Sequence, residues 1–296
     1  MAAFERRQPG LSVLSQFDVE STKTTGLVSR LESEAGRPRC DVFWNNEIMH
    51  TLRLEEAGLL QSVRWQVPAD WPTNMRSAQG CWVGIAARAR VLIINGDLLA
   101  DPSERPESVL DLADPKWKGR AAIASPLYGT TATHFAILDG HLGRAKALEF
   151  YNQVKNNVQV LAGNKQVAQM VSSGQLAFGL TDTDDALIEI ASGLPVEIVF
   201  PDQMADEFGT LRIPNTVAVM KGAPHPVAAT ALANYLVSED TEGRLALGPS
   251  AQIPIRPGHP QSSRAVKTAV RWMDGDFSQA AKRWPELATQ LRAIYQ

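Results

Sequence analysis

The sequence predicts an α/β fold built from two domains, and three observations carry that expectation. Apolar, strand-like runs alternate with segments of helical periodicity along nearly the whole chain, the pattern of helices layered on largely parallel sheets. A length of 296 residues suits two domains at roughly 100 to 200 residues each. No repeat, low-complexity tract or linker-like stretch separates independent halves, so the expected arrangement is two lobes joined by strands that cross between them.

The elements follow in order. Leu11 to Ser15 reads as a short strand, and Thr24 to Glu34 as an amphipathic helix with Leu27, Val28 and Leu31 on one face, stopped by Gly36 and Pro38. Cys40 to Trp44 is the next strand, and a helix from about Asn46 to Ala57 ends at Gly58. Trp82 to Ile94 is a long apolar strand interrupted by Arg88 and Arg90, and cations in a buried segment demand partners. After the turn-rich stretch from Asp101 to Gly119 come a strand over Arg120 to Ala124 and a helix opened by Gly129. Helical periodicity returns over Arg144 to Asn156 and over Asn164 to Ser173, and Leu176 to Leu180 is a compact strand followed by a polar turn. Strands are expected at Val196 to Phe200 and at Thr216 to Met220, with helices from Pro226 to the end and a break at Pro254 and Pro257.

Composition narrows the function. Hydrophobic residues make up 44% and charged residues 21% of the chain, enough to bury a full core. The net charge is -3 with Lys and Arg scattered, which argues against a nucleic-acid partner. No window approaches the ~18 apolar residues of a membrane span. Met1 to Gly10 lacks the basic start and apolar run of a secretory signal, so the protein is expected to be cytoplasmic, or its signal to lie outside this sequence. Cys40 and Cys81 lack zinc or redox spacing and read as small buried hydrophobes, with a disulfide as the alternative in an oxidising compartment.

Three strand-to-helix turns share one chemistry: Ser21 to Gly26, Tyr128 to Ala132 with Gly129, Thr130 and Thr131, and Gly163-Asn164-Lys165. A helix start presents free N–H groups and partial positive charge, which suits an oxyanion, and the Thr and Ser hydroxyls add donors. Singly, each turn is an ordinary N-cap. Together, at the carboxyl ends of strands in an α/β protein, they suggest a shared cleft. Asp182-Thr183-Asp184-Asp185 is the densest acidic group, and its self-repulsion would be relieved by a metal ion, an ammonium group or an arginine. The plain alternative is acidic capping of a helix. Among Trp44, Trp71 and Trp82, only Trp44 stands at a strand end where a cleft would open. Hydrolase, phosphate-loop and zinc-protease motifs are absent, and His134 is the one histidine near a candidate site.

At this point the chain resembles the periplasmic iron(III)-binding proteins and their relatives, the type II solute-binding proteins of ABC importers. The resemblance rests on Thr24-Thr25-Gly26-Leu27, Asp41-Val42-Phe43-Trp44, Gly58-Leu59-Leu60, Arg88 to Leu92, Asp111 to Arg120 and Gly222 to Pro226. It implies the two-lobed Venus flytrap fold of periplasmic binding proteins, here without the first strand and helix of the family, because the chain starts partway into that helix. It also implies hinge strands near 90–94 and 211–216, a first lobe of 1–91 with 214–262, and a second of 92–213 with 263–296.

The implied protein is a monomeric binding protein, not an enzyme, with an importer permease as partner and the periplasm as its location. Its expected ligand residues are Thr24, Thr25, Trp44, Asn46, Glu47, Arg88, Tyr128, Gly129, Thr130, Thr131, Asn164, Asp182, Thr183 and Asp184. The adjacent tyrosines of iron-binding relatives fall on Thr183 and Asp184, and the family carboxylate falls on Asn46 with Glu47 beside it. The expected ligand is a metal with phosphate or carbonate, held by Asp182 and Asp184, or a zwitterion such as an aminophosphonate. The rival readings are a phosphate-handling transferase or lyase and a truncated relic that no longer transports.

Overall fold

The computed structural model describes residues 1–17 and 25–296. They form two compact units: Met1–Ala86 with Pro214–Arg244 and Pro254–Pro260, and Ala87–Ile213 with Leu245–Ile253 and Gln261–Gln296. The sequence expectation had put the first boundary at 91. The division falls instead between Ala86 and Ala87, which assigns Arg88 and Arg90 to the second unit, and 245–253 also belongs there.

The first unit opens with α1 (Ala2–Arg7), whose Phe4 is buried against Tyr235 with ring centroids 5.4 Å apart. The strand expected at Leu11 to Ser15 does not form: the segment has no ladder partner, and Leu14 is 94% exposed. Next come α2 (Thr25–Ser33), β1 (Val42–Asn45), α3 (Met49–Glu56) and β2 (Leu60–Gln61). The long β3 (Trp82–Asn95) begins in this unit and continues into the second.

Within the second unit three short 3-10 helices (Pro102–Glu104, Val109–Ala113 and Pro115–Trp117) lead to β4 (Ala121–Ala124), α4 (Gly129–Leu142) and α5 (Arg144–Asn157). Then follow β5 (Gln159–Leu161), α6 (Asn164–Ser172), β6 (Phe178–Asp182), α7 (Thr183–Ala191) and β7 (Val196–Val199). The chain returns through β8 (Arg212–Met220), α8 (Pro226–Leu236) and α9 (Glu239–Leu247), and ends in α10 (Phe277–Tyr295). The segment 248–276, expected to be helical, is not. Among the described residues, no helix is long and apolar enough to cross a membrane.

The sheets are mixed rather than largely parallel. β1 and β2 pair antiparallel with β8, and β6 and β7 pair antiparallel with β3. β4 runs parallel to both β5 and β6. A helical crossover returns the chain in the same direction, as α4 and α5 do between β4 and β5, whereas the long β3 runs against β6 and β7. In the first unit Phe43, Leu52, Leu54, Val217 and Val219 are buried, with Trp71 and Trp82 among them. In the second, Ile93, Ala122, Val167, Val171, Leu176 and Ala186 form one cluster under α6 and α7. Gly179 of β6 is required there, because a Cβ would collide with Val167 and with the Ala122 carbonyl.

Candidate functional site

The expected ligand residues fall into two groups, one in each unit. In the first unit, Thr24 lies outside the described residues, and Thr25 begins α2 with its side chain likewise outside that description. Trp44 is half-buried on β1 and Asn46 is exposed in the turn after it. Glu47 is 3% exposed and has a structural task. Its Oε2 accepts from Met49 N at 2.7 Å and its Oε1 from His50 N at 3.1 Å, so the carboxylate caps the start of α3. Asn45 Nδ2 also donates to Oε1 at 3.0 Å. Glu47, expected as a ligand group, thus caps the start of α3 in this structure.

The second unit gathers the remaining expected residues around one buried arginine. α4 starts at Gly129, whose φ of +60° suits glycine, after an N-cap Tyr128 that is 49% exposed. Thr130 and Thr131 are buried in the first turn. α6 starts at Asn164, and Thr181 of β6 holds that start by donating from Oγ1 to the Asn164 carbonyl at 3.1 Å. Asp182 closes β6, two residues beyond the expected strand end. The following segment, read as a polar turn, is the helix α7. Thr183 opens it and accepts from Ala89 N at 3.2 Å.

Arg90, not Arg88, is the hub, and it was missing from the expected set. The antiparallel register sets Arg90 directly opposite Asp182. Arg90 Nη1 donates to Asp182 Oδ1 at 2.6 Å and to Thr130 Oγ1 and Asn164 Oδ1 at 3.1 Å each, and Nη2 donates to Thr131 Oγ1 at 3.1 Å. Asp182 Oδ2 accepts from Thr130 Oγ1 at 2.8 Å and from Asn164 Nδ2 at 2.9 Å. The sequence signal for Arg90 was its place in an apolar strand, where a cation must find a buried partner.

Arg88 lies two residues earlier on β3, and its Nη2 sits 3.5 Å from Asp184 Oδ2. Burial works against the Arg88 cation, yet Asp184, Asp182 and Asp185 together outweigh it and hold its pKa above the ordinary value. Gln252 Nε2 donates to the same Asp184 oxygen at 3.4 Å. Each of Asp182, Asp184 and Asp185 offers an oxygen, and these atoms lie within 4.8 Å of one another. Burial, which Arg88 counteracts and Asp182 reinforces, raises the Asp184 pKa. Burial and then the charges of Asp184 and Asp182 push Asp185 up to about 8. The unit thus faces three carboxylates with two guanidinium groups, and Asp185, outside the expected set, is the member in excess.

His134 is buried one turn into α4, with neither ring nitrogen hydrogen-bonded. Burial, with Arg90 and His141 adding to it, drives its pKa well below the ordinary value, so it is a neutral packed residue. Cys40 and Cys81 are free thiols in separate surroundings. Cys40 Sγ donates to Val42 O at 3.4 Å, while Cys81 is buried near Ser77 and Glu55. A cavity of about 470 Å³ in the first unit, lined by Leu31, Arg39, Cys40 and Lys221 among others, contains none of the expected site residues.

Two α/β units linked through β3 and β8, one of them carrying a dense polar and charged cluster at its helix starts, define the class of periplasmic-type binding proteins. A model of the family described as bacterial extracellular solute-binding protein matches residues 1–273, and the chain belongs to that family. It is 30% identical over 248 residues to iron uptake protein A2 of Synechocystis sp., covering 79% of this chain and 70% of that one. A Salmonella typhi protein named "Putative 2-aminoethylphosphonate-binding periplasmic protein" is 23% identical over 94% of this chain and 84% of its own. The ferric binding protein from Campylobacter jejuni superimposes with a TM-score of 0.87 at 22% identity, covering 99% of this chain and 94% of that one, which shows the shared two-lobed fold. The protein is accordingly a solute-binding protein and not an enzyme, which sets aside the transferase or lyase reading.

Proposed function

We propose that this chain is the solute-binding component of an ABC importer, acting in the periplasm as a monomer beside a membrane permease, and that its solute is a metal cation of the ferric type. One observation carries the reading: Asp182, Asp184 and Asp185 bring carboxylate oxygens within 4.8 Å of one another. Carboxylate oxygens are the donors that a hard cation prefers. Arg88 and Arg90 face Asp184 and Asp182, and a bound cation would take the place of the proton that Asp185, pushed up to about 8, holds near neutral pH. The name of the Synechocystis relative agrees with iron as that cation.

A second reading is a zwitterion such as an aminophosphonate, its ammonium at the acidic turn and its phosphonate at the starts of α4 and α6. The coverage of the Salmonella relative, 94% of this chain, favours it. Calorimetric titration with ferric citrate, 2-aminoethylphosphonate and spermidine separates these readings. The metal reading expects saturable binding of ferric iron that Asp185→Asn weakens roughly tenfold, about 1.4 kcal/mol. Binding of 2-aminoethylphosphonate with no uptake of iron would replace it by the second reading, and silence towards all three solutes would remove both.

A further inference from the structure

The donors around Asp182 are of the kind that a free oxyanion would require: a guanidinium, a hydroxyl at a helix start and a side-chain amide. In this protein a carboxylate of the chain itself receives them. Arg90 is fully enclosed, Asp182 is 2% exposed, and Thr130 and Thr131 are buried with them. We infer that Asp182 is a built-in anion that occupies Arg90 Nη1, Thr130 and Asn164 as donors, so that the protein takes its solute without a companion oxyanion at this place.

Three features support the assignment. Asp182 is fixed by the backbone, because β3 and β6 pair with Arg90 opposite Asp182, so the carboxylate is delivered by the sheet rather than by a mobile side chain. Both of its oxygens are used, Oδ1 by Arg90 Nη1 and Oδ2 by Thr130 and Asn164, so a second anion would have to compete with it for those donors. An oxyanion entering here would have to displace that carboxylate with oxygens of Asp184 and Asp185 within 4.8 Å of it. Like charges at that separation repel one another.

The inference deepens the reading of the acidic turn as the cation site, and its central test is made without any metal so that the two can fail separately. Thermal unfolding is followed at constant ionic strength while inorganic phosphate, bicarbonate or formate is titrated into wild type, Asp182→Ala and Asp182→Asn. Wild type is expected to show no saturable rise in Tm with any of the three. Asp182→Ala, which opens the space and strands Arg90, is expected to melt several degrees lower and to recover saturably with formate or bicarbonate. Asp182→Asn, which fills the space without the charge, is expected to recover little. Saturable stabilisation of wild type by phosphate or bicarbonate overturns the inference, as does a folded Asp182→Ala that responds to formate no more than wild type. Should the alanine variant not fold, the wild-type titrations decide, joined by ferric citrate titration with and without added bicarbonate: equal affinity is expected, and a tenfold gain with bicarbonate overturns the proposal.

Discussion

Arg88 and Arg90 differ in sequence by one intervening alanine, yet their roles diverge. Arg90 meets its carboxylate at 2.6 Å inside a closed network, whereas Arg88 stands 3.5 Å from Asp184 at the edge of the acidic turn. A buried ion pair gains little net stability because desolvation offsets attraction, but it fixes which groups may occupy the space. A second buried carboxylate of the same unit lacks a cationic partner and makes a residue-scale prediction. Asp202 is 1% exposed, and it accepts from Ser108 Oγ at 2.5 Å and from Val109 N at 3.3 Å. Burial raises its pKa to about 6 despite those bonds. A carboxyl group whose folded pKa lies above its unfolded value contributes stability that is fully present below about pH 4 and is lost as pH rises through about 6. Two pKa units correspond to ~3 kcal/mol. Asn at this position keeps the shape and tolerates the backbone φ of +62°. The stability of Asp202→Asn relative to wild type, measured by urea unfolding from pH 4 to 8, should therefore climb by up to ~3 kcal/mol. A difference that stays level with pH would mean that Asp202 is as readily ionised folded as unfolded.

At the scale of elements, β3 shows what a strand costs when it passes from one unit into the other. Ala86, the last residue of the first unit, has a φ of +36°, and the backbone there is satisfied by side chains instead of a regular ladder. Ala86 N donates to Glu242 Oε1 at 3.1 Å, and Asn215 Nδ2 donates to Ala86 O at 2.9 Å. A left-handed conformation costs an L-residue roughly 1 to 2 kcal/mol, and glycine escapes it but loses about 0.5 to 1 kcal/mol through its looser unfolded chain. Ala86→Gly should thus stabilise the protein by ~0.5 to 1 kcal/mol in urea unfolding, and destabilisation by that amount would show that Glu242 and Asn215 already hold the residue without strain. The apolar run of β3 was readable in the sequence, but this kink was not, because Ala86 carries no local signal for positive φ. The starts of α4 and α6 were readable from Gly129 and Asn164, which punctuate the chain locally. The strand expected at Leu11 failed because an apolar run such as Leu11, Val13 and Leu14 needs a neighbour to pair with, and pairing is not written in the segment itself. Strand direction was lost for the same reason.

For the whole molecule, the sequence disclosed the two-unit α/β organisation and most of the polar cluster of the second unit, but not how its charges are matched. The residues were legible because Asp182, Asp184, Thr130 and Asn164 are conspicuous types at helix starts. Their pairing was not, because it depends on the register that brings Arg90 opposite Asp182 across 92 positions of sequence. Through that register Arg90 and Asp182 compensate each other, and Arg88 stands beside Asp184. Asp185, pushed up to about 8, keeps its proton near neutral pH, so a cation that takes the place of that proton should stabilise the molecule and a simple anion should not. A solute bound only by the folded protein raises stability by RT ln(1 + [L]/Kd), ~2.7 kcal/mol at a hundredfold excess over Kd. For a chain of this size that is a rise in Tm of roughly 4 °C. Asp184→Asn removes one carboxylate from the cluster and releases Arg88 from its partner. Cation affinity should then fall about tenfold, or ~1.4 kcal/mol. At the same ferric citrate concentration the variant should therefore keep only about half of the wild-type shift, while its response to inorganic phosphate stays level or grows. If scanning calorimetry finds the full ferric shift retained in Asp184→Asn, the carboxylates at the start of α7 serve only the helix, and the cation must be sought elsewhere in the protein.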